Sequence, residues 1–290
     1  MNKQPDYKER GYLKNAFQIF HLKDALPNDV PFHYHEFLKI FILLYGNVSY
    51  IVEGNEYELR PHDIVLINAG ELHRPVVHDA KGYDRIIIYL SPAFFNSYSK
   101  AGLSKCFQKD SDSHTHVIRS SGKQTGFPVA GLTDAADFTC ENPYAKRLLQ
   151  QCKILEFLIL LNGQMVSQQE HYVAPITQNE NVLKILHYIN KHLTQNLSVE
   201  EIAAAVHLNR SYLMHKFKEE TGYTIKEFIT EKRLLLARNY IKKEIPLTEA
   251  CYLSGFSNYS NFYRAYTRKY GCSPKQQKNI FSASETKLNE

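Results

Sequence analysis

The sequence of 290 residues contains no tryptophan, and its five cysteines are an odd number without a C-x-x-C pair. Such a set does not match the disulfide framework of a small secreted domain. Each cysteine stands in a stretch that we expect to bury it as a small apolar residue, and a reduced, cytoplasmic environment follows. The cysteines are Cys106, Cys140, Cys152, Cys251 and Cys272.

The sequence also lacks long hydrophobic runs. Uninterrupted apolar stretches, such as residues 157–161, are far shorter than the roughly 20 residues that a membrane helix needs. The first ten residues are polar and lack the apolar core of a secretion signal. We therefore expect a soluble cytoplasmic protein without membrane association, and its length is sufficient for two domains.

Aspartate is absent from the last part of the chain. From Ile176 onward there are 17 Lys and Arg, 11 Glu and no Asp, a net charge of +6, whereas the remainder has a net charge of −1. Excess positive charge favours binding to the phosphates of nucleic acids. The asymmetry supports DNA binding because the same region carries a repeat.

The repeat consists of residues 202–222 and 250–271, which align at a spacing of 48 residues before a turn and 49 after it. The second turn therefore contains one inserted residue. Ala203 and Cys251 are small enough for close helix packing, and Leu208 and Phe256 can fill the core beneath each turn. A structural unit built twice in this way predicts two helix-turn-helix motifs. Two such motifs can place two recognition helices in successive major grooves, about 34 Å apart.

The ends of these helices are also predictable. Asn209 and Ser257 are suited to cap the second helix of each unit. Ser198, with Glu201 as its capping-box partner, and Thr248 are suited to cap the first helices. The sequence predicts a long helix over 224–243 between the units, ended by a proline at position 246. Spacing of i and i+4 predicts a buried stripe on each recognition helix, formed by Leu213, Phe217, Phe262 and Tyr266.

The opposite faces of the two recognition helices are polar. Arginine and asparagine can each make two hydrogen bonds to a base edge, and both can reach phosphates. The alternative is that these faces are merely solvated. Our candidate DNA contacts are Asn209, Arg210, Ser211, Tyr212, His215 and Lys216 in the first unit, and Ser257, Asn258, Tyr259, Asn261, Arg264 and Arg268 in the second.

Residues 179–278 resemble the DNA-binding domain of AraC/XylS-type transcription regulators. The likeness lies in Tyr212-Leu213, in Ser254-Gly255-Phe256-Ser257-Asn258 and in Gly271-Cys272-Ser273-Pro274. The sequence departs from the family pattern at His215, Tyr266-Thr267 and Gln277-Lys278, which affects individual contacts and not the fold. The resemblance implies double-stranded DNA as a partner, and it also implies activation through RNA polymerase.

The first part of the chain reads as short strands separated by turns. The predicted strands are 40–45, 48–53, 57–59, 64–67, 73–77 and 83–90, with hairpin signals at Gly46-Asn47 and Gly54-Asn55. Many short antiparallel strands favour a barrel or jelly roll. The pattern resembles the cupin sensor domain of sugar-responsive AraC-type regulators, through Pro31-Phe32-His33-Tyr34-His35, Pro61-His62-Asp63 and residues 68–73.

In metal-binding cupins, two histidines in an H-x-H pair, a glutamate and a distant histidine bind a divalent metal. Here His33, His35 and His73 stand at the histidine positions, but Lys39 replaces the glutamate, so we expect no metal. A three-histidine zinc site remains an alternative. Arg85 and Tyr89 share a parity on one strand and could line the same cavity, with Arg85 as a rim salt-bridge partner being the alternative. The candidate effector-binding residues are His33, His35, Lys39, His73, Arg85 and Tyr89.

The middle of the chain is less informative. We expect loops or short helices over 105–140, a helix over 143–162 and a polar linker over 166–178. The helix has a wide apolar face, which either forms a homodimer contact or only packs on the barrel.

The sequence therefore predicts an α+β protein of two domains. A cupin-like antiparallel β-barrel or jelly roll with packed helices, residues 1–165, would bind a small-molecule effector, in particular a sugar or related metabolite, and would dimerise. After the linker, an all-α domain over 179–282, with two helix-turn-helix units joined by a long helix, would bind DNA sequence-specifically. We predict that the protein is not an enzyme and needs no cofactor. The alternatives are a metal-dependent cupin enzyme with a helical appendage and a DNA-binding dimer without an effector.

Overall fold

The computed structural model describes residues 13, 15–24, 30–79, 82–108, 116–120, 128–166, 170–178 and 180–279. The chain divides into two compact units, residues 1–178 and 179–290, which confirms the predicted α+β class. Within the described ranges, no helix combines the length and apolar character needed to cross a membrane.

The first unit contains two antiparallel sheets. The larger has the strand order β1-β7-β2-β5-β8-β9, and the smaller has the order β10-β4-β3-β6. The strands are β1 (Phe17–Asp24), β2 (Leu38–Tyr45), β3 (Val48–Val52), β4 (Asn55–Glu58), β5 (Ile64–Ile67), β6 (His73–Val77), β7 (Tyr83–Leu90), β8 (Val117–Ser120), β9 (Glu170–Tyr172) and β10 (Thr177–Gln178). The predictions for β5, β6 and β7 are confirmed with their bounds, and β2 begins two residues earlier than predicted.

One of the two predicted hairpins is wrong. Val48–Val52 and Asn55–Glu58 pair directly around Glu53 and Gly54, which both have positive φ, so this hairpin is confirmed. Gly46 and Asn47, in contrast, connect β2 to β3, which lie in different sheets. The glycine-asparagine pair therefore makes a corner between sheets rather than a hairpin.

The predicted linker over 166–178 is also corrected. Within it, β9 pairs with β8, and β10 pairs with β4. Both sheets therefore gain their last strand from a segment whose polar composition resembles a linker. Its strands are two and three residues long, too short to produce a period-2 pattern.

Alternation along the long strands creates two cores. Ile40 and Ile42 of β2 pack on one side of the larger sheet, whereas Phe41 and Leu43 point into the space between the sheets. The outer side is covered by three helices, α1 (Pro92–Asn96), α2 (Val129–Asp137) and α3 (Pro143–Val166). The inner side is enclosed by both sheets and is rich in tyrosine and phenylalanine.

The second unit is helical among its described residues. Its helices include α4 (Glu180–Lys191), α5 (Val199–Ala205), α6 (Arg210–Thr221), α7 (Ile225–Lys242), α8 (Leu247–Leu253) and α9 (Tyr259–Tyr270), and residues 274–279 are also helical. The helix pairs α5–α6 and α8–α9 are the two predicted helix-turn-helix units, and α7 is the predicted joining helix. The predicted buried stripe is confirmed, because Leu213, Phe217, Phe262 and Tyr266 are all 0% exposed.

The helix caps confirm some predictions and correct others. Asn209 caps α6, and Ser198 forms a capping box with Glu201 at the start of α5. The cap of α9 is Asn258 and not Ser257, because the Asn258 side chain accepts a hydrogen bond from the Asn261 backbone N–H. Thr248 does not cap α8 either: the helix follows Pro246 directly and has no side-chain cap. The proline both ends the preceding segment and fixes the new helix start.

The repeat extends to the backbone. His207 and Gly255, which align at a spacing of 48, both have positive φ, +57° and +91°. At Gly255 a Cβ atom would lie 2.6 Å from the Leu193 carbonyl oxygen and 2.8 Å from the Thr194 Cα. Arg233 secures the same segment, since its Nε donates to the Leu193 carbonyl. A glycine is required at position 255 both for its conformation and for this close approach.

The expectation that every cysteine is buried is wrong. Cys106 and Cys251 are buried and Cys272 is partly buried, but Cys140 and Cys152 are exposed. Cys152 lies on α3 and Cys140 precedes that helix. Their immediate neighbours are polar, Thr139 and Glu141 for Cys140 and Gln151 and Lys153 for Cys152, so the local sequence does not require burial.

Candidate effector pocket and nucleic-acid interface

A cavity of about 150 Å³ lies between the two sheets of the first unit. Five of the six candidate effector residues line it: His33, His35, Lys39, Arg85 and Tyr89. The sixth, His73, does not line the cavity. It is 0% exposed and contacts the lining residue Lys39, with 3.3 Å between Lys39 Nζ and His73 Nε2. The structure thus brings together residues that are up to 56 positions apart in the sequence.

Strand pairing explains why these residues meet. Lys39 of β2 pairs with Tyr89 of β7, and Leu43 of β2 pairs with Arg85. Because side chains alternate across a strand, Lys39, Arg85 and Tyr89 all point to the concave side of the larger sheet. His33 reaches the same place from outside the strands, through an isolated bridge to His73.

The three histidines share one hydrogen-bonding pattern. Nδ1 of His33, His35 and His73 lies 2.9, 3.0 and 2.8 Å from the backbone carbonyls of residues 31, 37 and 71, respectively. A carbonyl only accepts, so each Nδ1 carries the proton and each Nε2 is left as an acceptor. Burial, reinforced by Lys39, lowers the pKa of His33 to about 4 and holds the pKa values of His35 and His73 well below their usual range. The cluster is therefore neutral at physiological pH.

This donor set does not fit a divalent metal. Within the described residues, no group of three or more histidine, cysteine, aspartate or glutamate side chains has the arrangement of a metal site. Lys39 Nζ occupies the coordinating side of His73, where a cation would have to lie. Three neutral imidazoles beside an ammonium group and without a carboxylate are a poor site for iron or manganese.

Lys39 is an unusual residue for a protein interior. Its side chain is 4% exposed, and its Nζ lies 5.7 Å from the centre of the Tyr50 ring. Burial and the neighbouring Arg85 guanidinium lower the pKa of Lys39 to about 7. No acidic side chain forms an ion pair with Lys39 among the residues that the structure describes.

Arg85, in contrast, is fully engaged. It forms an ion pair with Asp24 of β1, and both side chains are nearly buried, at 8% and 11% exposed. Its Nη1 donates to the Tyr83 carbonyl at 3.2 Å, and its guanidinium lies 3.8 Å from the centre of the Tyr83 ring. The salt-bridge role considered for Arg85 from the sequence is therefore present, at the wall of the cavity itself.

Sequence reasoning missed the aromatic part of the wall. Phe41, Tyr50 and Tyr83 line the cavity together with Tyr89. A signal was present for Phe41, which has the same strand parity as Lys39, but Tyr50 belongs to the other sheet. Its contribution depends on how the two sheets face each other, which a single sequence does not reveal.

In the first helix-turn-helix unit, the candidate DNA contacts are exposed except for the partly buried Lys216, and several of them already have hydrogen-bond or ion-pair partners. Asn209 Oδ1 accepts from the Ser211 N–H at 2.8 Å, so this side chain acts as a cap. Arg210 pairs with Glu200 at 2.8 Å, with both side chains largely exposed. Lys216 binds Glu219 and Glu220 at 3.1 and 2.7 Å; the remaining candidates Ser211, Tyr212 and His215 lie on the exposed surface of α6.

The second unit offers a more basic surface. Asn258 is engaged as the cap, Ser257 is exposed in the turn and Tyr259 is half-buried. Asn261 accepts from Arg264 Nη2 at 2.7 Å, which orients two potential base-contacting side chains on one face. Arg268 is exposed in the last turn.

The equal lengths of α6 and α9 allow the two faces to be compared position by position. At the spacing of 49 that holds after the turn, Glu219 of α6 corresponds to Arg268 of α9, and Glu220 corresponds to Lys269. The last turn of α9 is therefore basic where that of α6 is acidic. Exposed Tyr263 of α9 and its equivalent Met214 of α6 were both missed, because their apolar character resembles that of core residues.

Comparisons with known proteins match both units. Residues 21–153 match the model of the AraC-like ligand binding domain, and residues 191–279 match a helix-turn-helix domain. The probable transcriptional regulator LumQ of Photobacterium leiognathi is 26% identical, over 87% of this chain and 93% of that protein. The HTH-type transcriptional activator RhaS of Klebsiella pneumoniae is 22% identical, over 91% of this chain and 93% of that protein.

Among solved structures, ToxT from Vibrio cholerae is 17% identical, covers 92% of this chain and 99% of its own, and has a TM-score of 0.38. The two family models together account for most of the described residues and agree with the boundary between the two units. With a ligand-binding domain followed by a helix-turn-helix domain, the chain belongs to the AraC family of DNA-binding transcription regulators.

Proposed function

We propose that this protein is a sequence-specific regulator that binds duplex DNA with α6 and α9 and responds to a small effector held in the cavity between its sheets. The observation that carries the DNA-binding part is the repeat: two helices of 12 residues, each capped by asparagine, each with a buried apolar stripe and an exposed polar face. If these helices were only solvated surface helices, nothing would require both to have an asparagine N-cap, 12 residues and a glycine C-cap.

Within these faces, Arg264 and Asn261 are the proposed base-reading pair, because they lie on one exposed face and each can make two hydrogen bonds to a base edge. Arg268 is the proposed phosphate contact. Arg210 and Lys216 must exchange their carboxylate partners for phosphates, and Tyr212 and His215 complete the surface of α6. Asn209 and Asn258 contribute by fixing the helix ends, where free backbone N–H groups can also meet a phosphate.

Selection of bound duplexes from a random DNA pool by the full-length protein tests this proposal. We expect enrichment of one sequence class, loss of enrichment in an Arg264→Ala variant and retention in a Lys242→Ala variant, whose exposed lysine lies on α7. Recovery of DNA without sequence enrichment would contradict specific recognition. Repeating the selection with sugars and related metabolites tests the effector, because the resemblance of the first unit to the sensor domain of sugar-responsive regulators implies this class.

The proposed oligomer is a homodimer formed through α3. Leu148 and Ile159 on this helix are 48% and 56% exposed, whereas Phe157 and Leu158 are buried against the sheet. The wide apolar face therefore continues beyond what the first unit covers. Sedimentation should give a dimer that a Leu148→Lys, Ile159→Lys variant converts to monomer, and Glu156→Lys on the same helix is the matched control. A wild-type monomer, or a dimer that survives the double change, would overturn this interface.

As an activator, the protein would also contact RNA polymerase. This part of the proposal is supported by family likeness alone, and no described residue is assigned to the contact. Transcription in a purified system from a selected binding site measures it directly.

A further inference from the structure

Two polar side chains of the cavity lack a complementary group among the described residues: one lacks a hydrogen-bond donor and the other lacks a counter-charge. The first is Nε2 of His35, which is buried and has no hydrogen-bond partner among the residues that the structure describes. Its Nδ1 donates to the Phe37 carbonyl at 3.0 Å, so Nε2 is an acceptor that requires a donor. A buried polar atom without a partner is costly, and a ligand hydroxyl would satisfy it.

The second is Nζ of Lys39. Its one polar contact among the described residues is Nε2 of His73 at 3.3 Å, and that imidazole is neutral. The other cation of the cavity, Arg85, is already balanced by Asp24. The two basic side chains therefore differ: Arg85 needs no counter-charge, whereas a buried ammonium at Lys39 does.

Both side chains adjoin the same imidazole, because the His35 and His73 rings are 4.7 Å apart between centroids and Lys39 Nζ lies 3.3 Å from His73 Nε2. The walls around them are aromatic, with Phe41, Tyr50 and Tyr89 all lining the cavity. A volume of about 150 Å³ is comparable to that of an engineered cavity in another protein that binds benzene. The space suits one small molecule with a short carbon skeleton or a single ring.

We infer that the effector is a small hydroxycarboxylate, whose carboxylate pairs with Nζ of Lys39 and whose hydroxyl donates to Nε2 of His35. This inference rests on the proposed effector-binding role of the cavity and names the chemical class of the effector. A neutral sugar would supply the hydroxyl but not the counter-charge for Lys39. A sugar acid and a hydroxy-aromatic acid share the required chemistry and are separate arms of the test.

Titration calorimetry on the full-length protein tests the inference with matched pairs of probes. The pairs are D-galacturonate with D-galactose, D-gluconate with D-glucitol, and 4-hydroxybenzoate with 4-hydroxybenzyl alcohol. We expect at least one acid to bind, and its neutral partner to bind roughly tenfold or more weakly, because a charge-assisted hydrogen bond is lost. An equal affinity for acid and neutral partner, or no binding of any of the three acids, would overturn the inference.

Variants assign the binding to the two atoms. Lys39→Met should abolish the preference for the acid, and Lys39→Gln provides a second variant if the first does not fold. Lys23→Met is the matched control, because this lysine of β1 has a side chain that is 68% exposed. His35→Phe should weaken the hydroxy acid but not its deoxy analogue. Retained acid preference in both Lys39 variants would refute the assignment.

Proton linkage gives a readout that a merely structural role of Lys39 would not change. Burial lowers the pKa of Lys39 to about 7, so much of the lysine is neutral at pH 8. A carboxylate favours the charged form, and binding at pH 8 should take up close to one proton. The uptake is measured from binding enthalpies in buffers of different ionisation enthalpy, and it should disappear in the Lys39 variants.

DNA affinity, measured with the same probes, separates this inference from the proposed function. If an acid binds through Lys39 without changing DNA affinity, the ligand assignment holds and the effector role fails. If a neutral sugar changes DNA affinity and no acid does, the effector role holds and the hydroxycarboxylate is wrong.

Discussion

The close approach at Gly255 allows us to predict how much stability a Gly255→Ala variant loses. In a Gly255→Ala variant the new methyl group would lie 2.6 Å from the Leu193 carbonyl oxygen, and both Leu193 and Thr194 would meet it with backbone atoms. A positive φ costs about 1–2 kcal/mol for a residue with a side chain, and overpacking costs about 1–3 kcal/mol. We expect a loss of about 3 kcal/mol, which is roughly a hundredfold in the opening equilibrium.

Two other glycines serve as matched controls. Gly222 also has a positive φ, +75°, but a Cβ there meets nothing within 4 Å, so Gly222→Ala should cost only about 1–2 kcal/mol. Gly163 lies in α3 with open space, and Gly163→Ala should stabilise by about 0.5–1 kcal/mol. The three substitutions therefore separate the cost of the clash from the cost of the backbone conformation.

Hydrogen exchange of the full-length protein, followed by mass spectrometry of peptides from α7, measures the effect locally. Gly255→Ala should accelerate exchange in α7 by roughly a hundredfold, and Gly222→Ala by about tenfold. Exchange no faster in Gly255→Ala than in Gly222→Ala would refute the argument, because it would mean that the backbone of residues 193–194 does not lie against Gly255. Far-UV circular dichroism checks that each variant keeps its helices.

Three further predictions concern the two sites. Arg264→Ala should weaken binding to the selected DNA by more than about tenfold and lower the salt slope by at most about 1, with Lys242→Ala near wild type in filter binding. Asp24→Asn leaves Arg85 without its counter-charge, so thermal unfolding should report a loss of about 3–5 kcal/mol; an unchanged midpoint would show that the pair is not buried. The pKa of Lys39 falls on folding to about 7, so the unfolded chain binds more protons between pH 7 and the usual lysine pKa. Stability of the first unit should therefore rise with pH in that window by up to about 1.4 kcal/mol per unit, and denaturant titrations of Lys39→Met should lack this rise.

The sequence predicts the helical unit more completely than the sheets. Each helix-turn-helix motif is local, and its small residues, core residues and asparagine caps appear in order within 21 or 22 residues. Of the two misassigned caps, Ser257 instead of Asn258 lies where the second turn has its extra residue. Ser257 and Asn258 are both good caps, and which of them begins the helix depends on the path of the turn.

Sheet pairing is less accessible because it joins distant segments. Gly46-Asn47 has the composition of a hairpin, yet the chain crosses there to the other sheet. The strands β9 and β10 are held by partners in β8 and β4 and have too few residues to show a pattern of their own. Tertiary pairing, rather than local propensity, decides these segments.

The effector cavity was less predictable from the sequence than the helical unit but more predictable than the sheet pairing. A resemblance of motifs drew attention to His33, His35 and Lys39, and strand parity drew attention to Arg85 and Tyr89. The lowered pKa of Lys39 was not predictable, because it depends on burial and on the neighbouring Arg85 guanidinium. Nor could sequence show that Asp24 neutralises Arg85, since the two are 61 residues apart and meet only because β1 pairs with β7.

The unlike last turns of α6 and α9 have a consequence for the search for operators. Two helices with the same cap, length and end carry different side chains at equivalent positions, Tyr212 against Asn261 and Glu219 against Arg268. One protomer should therefore prefer two dissimilar base sequences. It should bind the phosphates more strongly near α9, whose last turn is basic. Genomic searches for its operators should use a pattern of two different half-sites and not a direct repeat of one half-site.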